Sequence, residues 1–230
     1  SLPWEPRTMD RLLDASLSPD LASRPFKFTS KQGRNRRSQL LTITLGLLRE
    51  KSPDEISFAD ICKQAKIPRP SAYHFFPNIE AIFHGIRLLH SEILIEKSLS
   101  LKNETFVTWK DYLERLIDVA VEVTNKEIAF PRLIYGYRMS NPEMRLVGQE
   151  LDAKLANLAT VGLMERFVLP RLKDGEQIFA VSFSIADSLL KLSYRTFGDF
   201  TPWMVTEAKK ATISYLKNYL PDDCEKRRLG

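Results

Sequence analysis

Apolar residues recur at helical spacing along most of the chain from Asn35 onward, and polar or proline-containing breaks divide them into segments. Leu40, Leu41, Thr44, Leu47 and Leu48 form the first stripe, which stops at Lys51-Ser52-Pro53. Ser57-Phe58-Ala59-Asp60 then opens a second, short helix running to about Ala65. Ser57 can accept from the N–H three residues on. Asp60 stands where Glu or Gln usually completes a capping box, and it favours the positive end of the helix. Lys66-Ile67 reads as a tight turn and Pro68 as a first helical residue, so a third short helix is expected from Pro68 to about Phe75. Pro77-Asn78 breaks it and starts a longer fourth helix, with Ile79, Ile82, Phe83, Ile86 and Leu89 on one face. Beyond Lys102, helices are expected at about 104–126, 128–139, 142–168, 175–197 and 202–220. Their breaks fall near Pro131, Asn141-Pro142, Pro170, Lys173-Asp174-Gly175 and Thr201-Pro202. No strand pattern competes, and the prediction is an all-α chain.

Composition refines this picture in one place. The apolar share of 43% and charged share of 27% are those of an ordinary globular protein with a sizeable core. The formal net charge is +5, yet Arg24, Lys27, Lys31, Arg34, Arg36 and Arg37 follow one another with no acidic residue among them. That run exceeds the whole excess, so the remainder of the chain is close to neutral and the basic character is one local patch. Such a patch suits either a polyanionic partner at one end or a solvated basic tail. Residues 1–33, with Pro3, Pro6, Pro19 and Pro25 and a short amphipathic stretch from Met9 to Leu17, read as a basic N-terminal arm. Cys62 and Cys224 lie in unrelated contexts and form no zinc-type cluster, which argues against a disulfide and for a reducing, cytoplasmic setting. Apolar runs such as Leu40–Leu48 are far shorter than the roughly 20 residues that cross a bilayer, and no secretory leader pattern opens the sequence.

Two short helices joined by a tight turn, the second carrying polar and aromatic residues, have the geometry that enters a DNA major groove. The segment Ile56-Ser57-Phe58-Ala59-Asp60-Ile61-Cys62-Lys63-Gln64-Ala65-Lys66-Ile67, followed by Ser71-Ala72-Tyr73-His74-Phe75-Phe76-Pro77-Asn78-Ile79-Glu80-Ala81-Ile82, resembles the signature of the TetR/AcrR family of transcriptional regulators. The resemblance is close over roughly residues 34–90 and architectural beyond them. It implies a helix-turn-helix DNA-binding three-helix domain at 34–86 and a helical ligand-binding and dimerisation domain at 87–230. Ser57 would then offer its hydroxyl and nearby N–H groups to a phosphate, and Arg69 and Ser71 would face base edges or phosphates. Tyr73 matches the tyrosine that reaches the DNA backbone, and His74 the adjacent variable contact. Arg36 and Arg37 would add phosphate contacts from the basic run. Phe76, Ile61, Ala65 and Ile67 match the buried core of the motif. Three departures stand out: Pro70 where glycine is common, Phe75 where histidine often stands, and Ile79 in place of the customary lysine. The last two remove phosphate contacts, which the basic run could replace.

The C-terminal segments bear on partners. Between 178 and 197 one apolar line runs through Phe179, Phe183, Ala186, Leu190, Tyr194 and Phe197, and another through Ile178, Val181, Ile185, Leu189 and Leu192. A helix apolar on two faces needs two covers. The resemblance supplies the second as a four-helix bundle with a symmetry mate, so that two recognition helices read a palindromic operator in double-stranded DNA. It also implies a pocket for a small-molecule effector. Trp109, Tyr135, Tyr137, Arg138, Phe167 and Phe183 are the candidate lining, although an aromatic stripe serves as core at least as readily as it serves a ligand. Such a lining favours an apolar or amphipathic effector.

Other classes find less support. Ser188-x-x-Lys191 lacks the companion motifs of acyl-serine enzymes; His74, His84 and His90 lack the Glu-x-x-His pairs of a di-iron bundle; no glycine-rich phosphate loop is present. No catalytic residue, metal site or cofactor is therefore expected. A helical protein-interaction module and a small all-α enzyme without a recognisable motif are the alternatives to a DNA-binding repressor, and salt-sensitive binding of duplex DNA separates them from it.

Overall fold

The computed structural model describes residues 31–227. The expected arm, with Met9–Leu17, Arg24 and Lys27, lies outside the described residues except at its last positions, where Lys31–Gly33 already belong to the first helix. Nine α-helices and no strand are found among the described residues. They divide into two compact units. The first comprises the described residues through Ile93 together with Thr124–Leu151, and the second Leu94–Val123 with the described residues from Asp152 on.

In the first unit, α1 (Lys31–Glu50) buries Leu40, Leu41, Thr44, Leu45, Leu47 and Leu48. The Thr44 hydroxyl is satisfied inside the helix by the Leu40 carbonyl at 2.8 Å. Pro53 ends this pattern, and Ser52-Pro53-Asp54-Glu55 folds into a 3-10 turn whose Glu55 carboxylate accepts from the Ser52 N–H at 2.9 Å. Next come α2 (Phe58–Ala65) and α3 (Arg69–Phe75), with Pro68 just outside α3 instead of its first residue. Asn78 then caps α4 (Ile79–Ser100), its side-chain oxygen accepting from the Ala81 N–H at 2.8 Å. The helix α6 (Ala129–Ile134) is half the length expected, and Pro131 sits within its first turn instead of breaking it. It ends at Ile134, and at Gly136, two residues on, a Cβ would lie 2.6 Å from the Arg132 carbonyl oxygen.

Two polar ties hold α6 and the segment after it to the first unit's helices. Arg49 Nε and Nη2 grip the Glu127 carboxylate, and Arg132 Nη1 donates to the carbonyls of Leu48 and Arg49 at 3.0 and 2.9 Å, capping the end of α1. Glu80, at the start of α4 and only 4% exposed, accepts from Tyr137 Oη, the Ser140 N–H and hydroxyl, and the Asn141 N–H.

In the chain as a whole, α5 (Trp109–Asn125) begins only after Thr108 and Asp111 cap each other, so 104–108 is not helical as expected. After α7 (Pro142–Arg166), α8 (Gly175–Phe197) and α9 (Pro202–Leu216) form a hairpin. Gly198 takes the left-handed conformation that closes α8, and Thr201 caps α9 by accepting from Met204. Ile178, Phe179 and Leu190 of α8 are buried along with Met204, Ala208 and Leu216 of α9. The charged C-terminal tail also has structure in its described part. Phe167 and Lys226 form an antiparallel bridge, Val168 N–H donates to Glu225 O at 2.7 Å, and Trp109 Nε1 donates to Pro221 O at 2.9 Å.

Candidate nucleic-acid interface

α2, a three-residue turn and α3 make a helix-turn-helix, and local sequence accounts for each part. Ser57 caps α2 reciprocally with Asp60: Ser57 Oγ accepts from the Asp60 N–H at 3.1 Å, and the Ser57 N–H and hydroxyl both donate to Asp60 Oδ2. Those hydrogen bonds hold the Asp60 carboxyl below the usual carboxylate range. Lys66 closes α2 in the left-handed region, at φ 54°, and its N–H bonds back to the carbonyls of Cys62 and Lys63. Ile61, Ala65, Ile67, Ala72, Phe75 and Phe76 are buried and hold the motif together.

The opposite face of α3 is open. Arg69, Tyr73 and His74 are exposed and Ser71 is half-buried. The Tyr73 ring stacks on Phe58 of α2 with centroids 4.4 Å apart and planes 11° from parallel, and the His74 ring meets Phe75 edge-on at 5.5 Å. Arg36 of α1 is exposed and its Nη1 donates to Ser71 Oγ at 3.0 Å, so the first helix reaches the third across this face. Lys63 and Lys66 are exposed beside them. Arg36 and Ser71 are thus brought together, Lys63, Lys66 and Arg69 line one shallow depression, and Tyr73 and His74 are exposed on α3.

Of the expected contacts, Arg37 is placed differently, while Ser57 stands exposed at the start of α2 as expected. Arg37 is 5% exposed, lies 5.4 Å over the Phe76 ring, and burial pulls its pKa down to about 10. Helical period explains this: Arg37 falls on the same face of α1 as Leu40, Leu41 and Thr44. Ser57 is exposed, and its N–H and hydroxyl both donate to Asp60 Oδ2. Phe75, at the position where the family resemblance would place a phosphate-contacting histidine, is instead part of the core. Sequence reasoning misses Phe58 as a partner of Tyr73, because a helix start gives no sign of which ring it will meet on the next helix. It also misses Glu80, whose partners lie 57–61 residues away and leave no local signal.

Residues 40–86 match the profile of bacterial regulatory proteins of the tetR family. The chain carries a TetR-family domain. Among solved structures the TetR-like fold recurs in a TetR-family transcriptional regulator from Streptomyces coelicolor, 23% identical, with 80% of this chain and 99% of that one covered and a TM-score of 0.59. A second, from Pectobacterium atrosepticum, is 14% identical, with coverage of 87% and 100% and a TM-score of 0.53. GusR of Salmonella enterica is 19% identical, with coverage of 83% and 99% and a TM-score of 0.50. At these identities the likeness is one of fold. No curated protein sequence matches the chain.

The candidate effector residues of this TetR-type fold are divided between its units. In the first, Tyr135 is buried, Tyr137 is half-buried and bound to Glu80 at 3.0 Å, and Arg138 is exposed. In the second, Trp109 and Phe167 are buried and Phe183 is half-buried. Tyr112 lies near them in sequence and under the Arg166 guanidinium, 4.5 Å from its ring centroid, and Gly162 leaves room for its hydroxyl. Trp109, bonded to Pro221, and Phe167, bridged to Lys226, serve the packing of the C-terminal tail. Along α8, Val181 and Leu192 are exposed, as are Phe197 and Trp203 around the hairpin turn, and Ala180, Ser184, Ile185, Ser188 and Leu189 line a shallow groove of about 520 Å³. No helix among the described residues is long and apolar enough to cross a membrane, and no group of three or more metal-ligating side chains is gathered among them.

Proposed function

We propose that this protein is a cytoplasmic, homodimeric transcriptional repressor that binds a palindromic operator in double-stranded DNA and is released by an apolar or amphipathic small molecule. The observation that carries the DNA reading is the two-sided character of α3: Ala72 and Phe75 buried on one side, Arg69, Tyr73 and His74 exposed on the other. A short helix with that division presents side chains for base edges and phosphates while its back is fixed by packing. The neighbouring cations Arg36, Lys63 and Lys66 supply the sequence-independent attraction. On this reading 34–86 is the DNA-binding domain and 87–230 the effector and dimerisation domain. The uncovered apolar positions of α8 and the hairpin turn support dimerisation, since a second copy would bury them in a four-helix arrangement. Catalysis is no part of the proposed role.

Selection from a random duplex pool, followed by fluorescence anisotropy across a salt series, tests the reading. The expected outcome is a palindromic site bound by a dimer, with affinity falling by about 10³–10⁵ between 50 and 200 mM salt if 6–10 phosphates are neutralised. A chain that stays monomeric by light scattering, or that recovers no duplex, refutes it. Effector candidates that release the duplex can then be mapped by substituting Tyr135, Tyr137, Arg138, Trp109, Phe167 and Phe183 singly.

A further inference from the structure

The recognition helix proposed above is a poor scaffold by itself. It has seven residues and no side-chain cap at its start. An isolated helix that short has no independent stability. Tyr73, 50% exposed near its end, would sample several rotamers if only α3 held it. It stacks instead, nearly parallel, on Phe58 at 4.4 Å. Phe58 is itself held firmly, because it is the first residue of α2 and follows Ser57, whose capping box with Asp60 fixes the backbone there. Phe58 is half-buried, so one ring face supports Tyr73 while its position is set by the helix start.

The geometry points to Phe58 as a positioning residue for DNA recognition: a flat shelf that holds the Tyr73 ring in one orientation so that its hydroxyl meets a phosphate already aligned. This rests on the DNA-binding reading above. The chain of cause runs from the Ser57–Asp60 capping box to the Phe58 backbone, from the Phe58 ring to the Tyr73 ring, and from there to the partner. The gain is preorganisation: the side-chain freedom that an exposed tyrosine would lose on binding is already lost in the free protein. The stack itself adds aromatic pairing beyond simple burial.

The test is a double-mutant cycle in the full chain, on the duplex recovered by selection from a random pool. Phe58→Leu keeps apolar bulk and loses the flat face; Phe58→Tyr keeps it. The expected result is a roughly fivefold to tenfold loss of affinity for Phe58→Leu, little loss for Phe58→Tyr, and no further loss when Phe58→Leu is added to Tyr73→Ala. The salt slope of Phe58→Leu stays that of the natural chain, because no cation has been removed. If Phe58→Leu lowers the thermal midpoint, Phe58→Met gives the same comparison. Equal losses in the presence and absence of Tyr73, or none at all, overturn the inference while the DNA reading stands. Failure of the natural chain to recover any duplex overturns both.

Discussion

At the scale of single residues, the helix-turn-helix carries a local cost at Lys66. Its φ of 54° is the one positive φ at a non-glycine position among the described residues. In that region a side chain's Cβ crowds the following carbonyl, at roughly 1–2 kcal/mol, and glycine avoids the clash. Glycine gives back about 0.5–1 kcal/mol through the greater freedom of the unfolded chain. Lys66→Gly is therefore expected to stabilise the protein by about 0.5–1 kcal/mol, read as a raised urea midpoint at unchanged m. The same substitution removes an exposed cation beside α3, so duplex affinity should fall and its salt slope should shrink by about one contact. A lysine retained at a strained position would then owe its place to the partner. A variant that is less stable than the natural chain, or that binds duplex unchanged, would contradict this account.

At the scale of elements, the sequence is readable wherever cause and effect lie within four residues. Ser57 with Asp60, Asn78, and Thr201 are local caps, and the helices they start begin where the sequence pattern predicts. Thr108 with Asp111 is just as local, but the apolar period alone does not reveal it, and α5 starts later than expected. The outward row of α3 follows from the same short-range logic. Arg37 does not, because its burial is decided by what packs against α1 and not by the charge of its neighbours. The early end of α6 is not signalled by the apolar period, and the tie from Glu80 to Tyr137, Ser140 and Asn141 spans more than fifty residues. Burial pushes the Glu80 carboxyl up, but the hydrogen bonds from Ser140, Asn141 and Tyr137 outweigh it and hold it below the usual range. Glu80→Gln places an amide N–H₂ among donors and forfeits the charge, so a loss of about 2–3 kcal/mol is expected in urea unfolding. Glu127→Gln should cost less, since its partner Arg49 is 35% exposed and its charge is partly screened by water. Equal small losses for the two would mean that the start of α4 is held by packing alone.

For the whole molecule, two buried histidines make stability depend on pH well above the carboxylate range. His84 is 1% exposed and His90 8% exposed, both on α4 within the unit that holds the helix-turn-helix. Burial, with a smaller contribution from Arg87, lowers their pKa values to about 4 and about 3. His90 Nε2 is 2.9 Å from Thr124 Oγ1, and its ring meets Phe130 edge-on at 5.0 Å, surroundings that accept a neutral imidazole. In the unfolded chain each imidazole takes a proton near pH ~6.5. Below that pH the unfolded state binds more protons than the folded one, so stability falls as pH falls. The loss begins near the unfolded value and continues until the folded pKa is reached, about 4 for His84 and about 3 for His90. By about pH 5 each is expected to have cost on the order of 2 kcal/mol relative to pH 8, before the Glu80 carboxylate begins to titrate. Urea midpoints measured at half-unit steps from about pH 8 to pH 5 should trace this decline. His90→Gln, which can still hydrogen-bond Thr124, should remove its own share of the slope even if it lowers stability at the alkaline end. A midpoint that stays level across the whole range, or an unchanged slope in that variant, would mean that the rings are protonated in the folded protein after all.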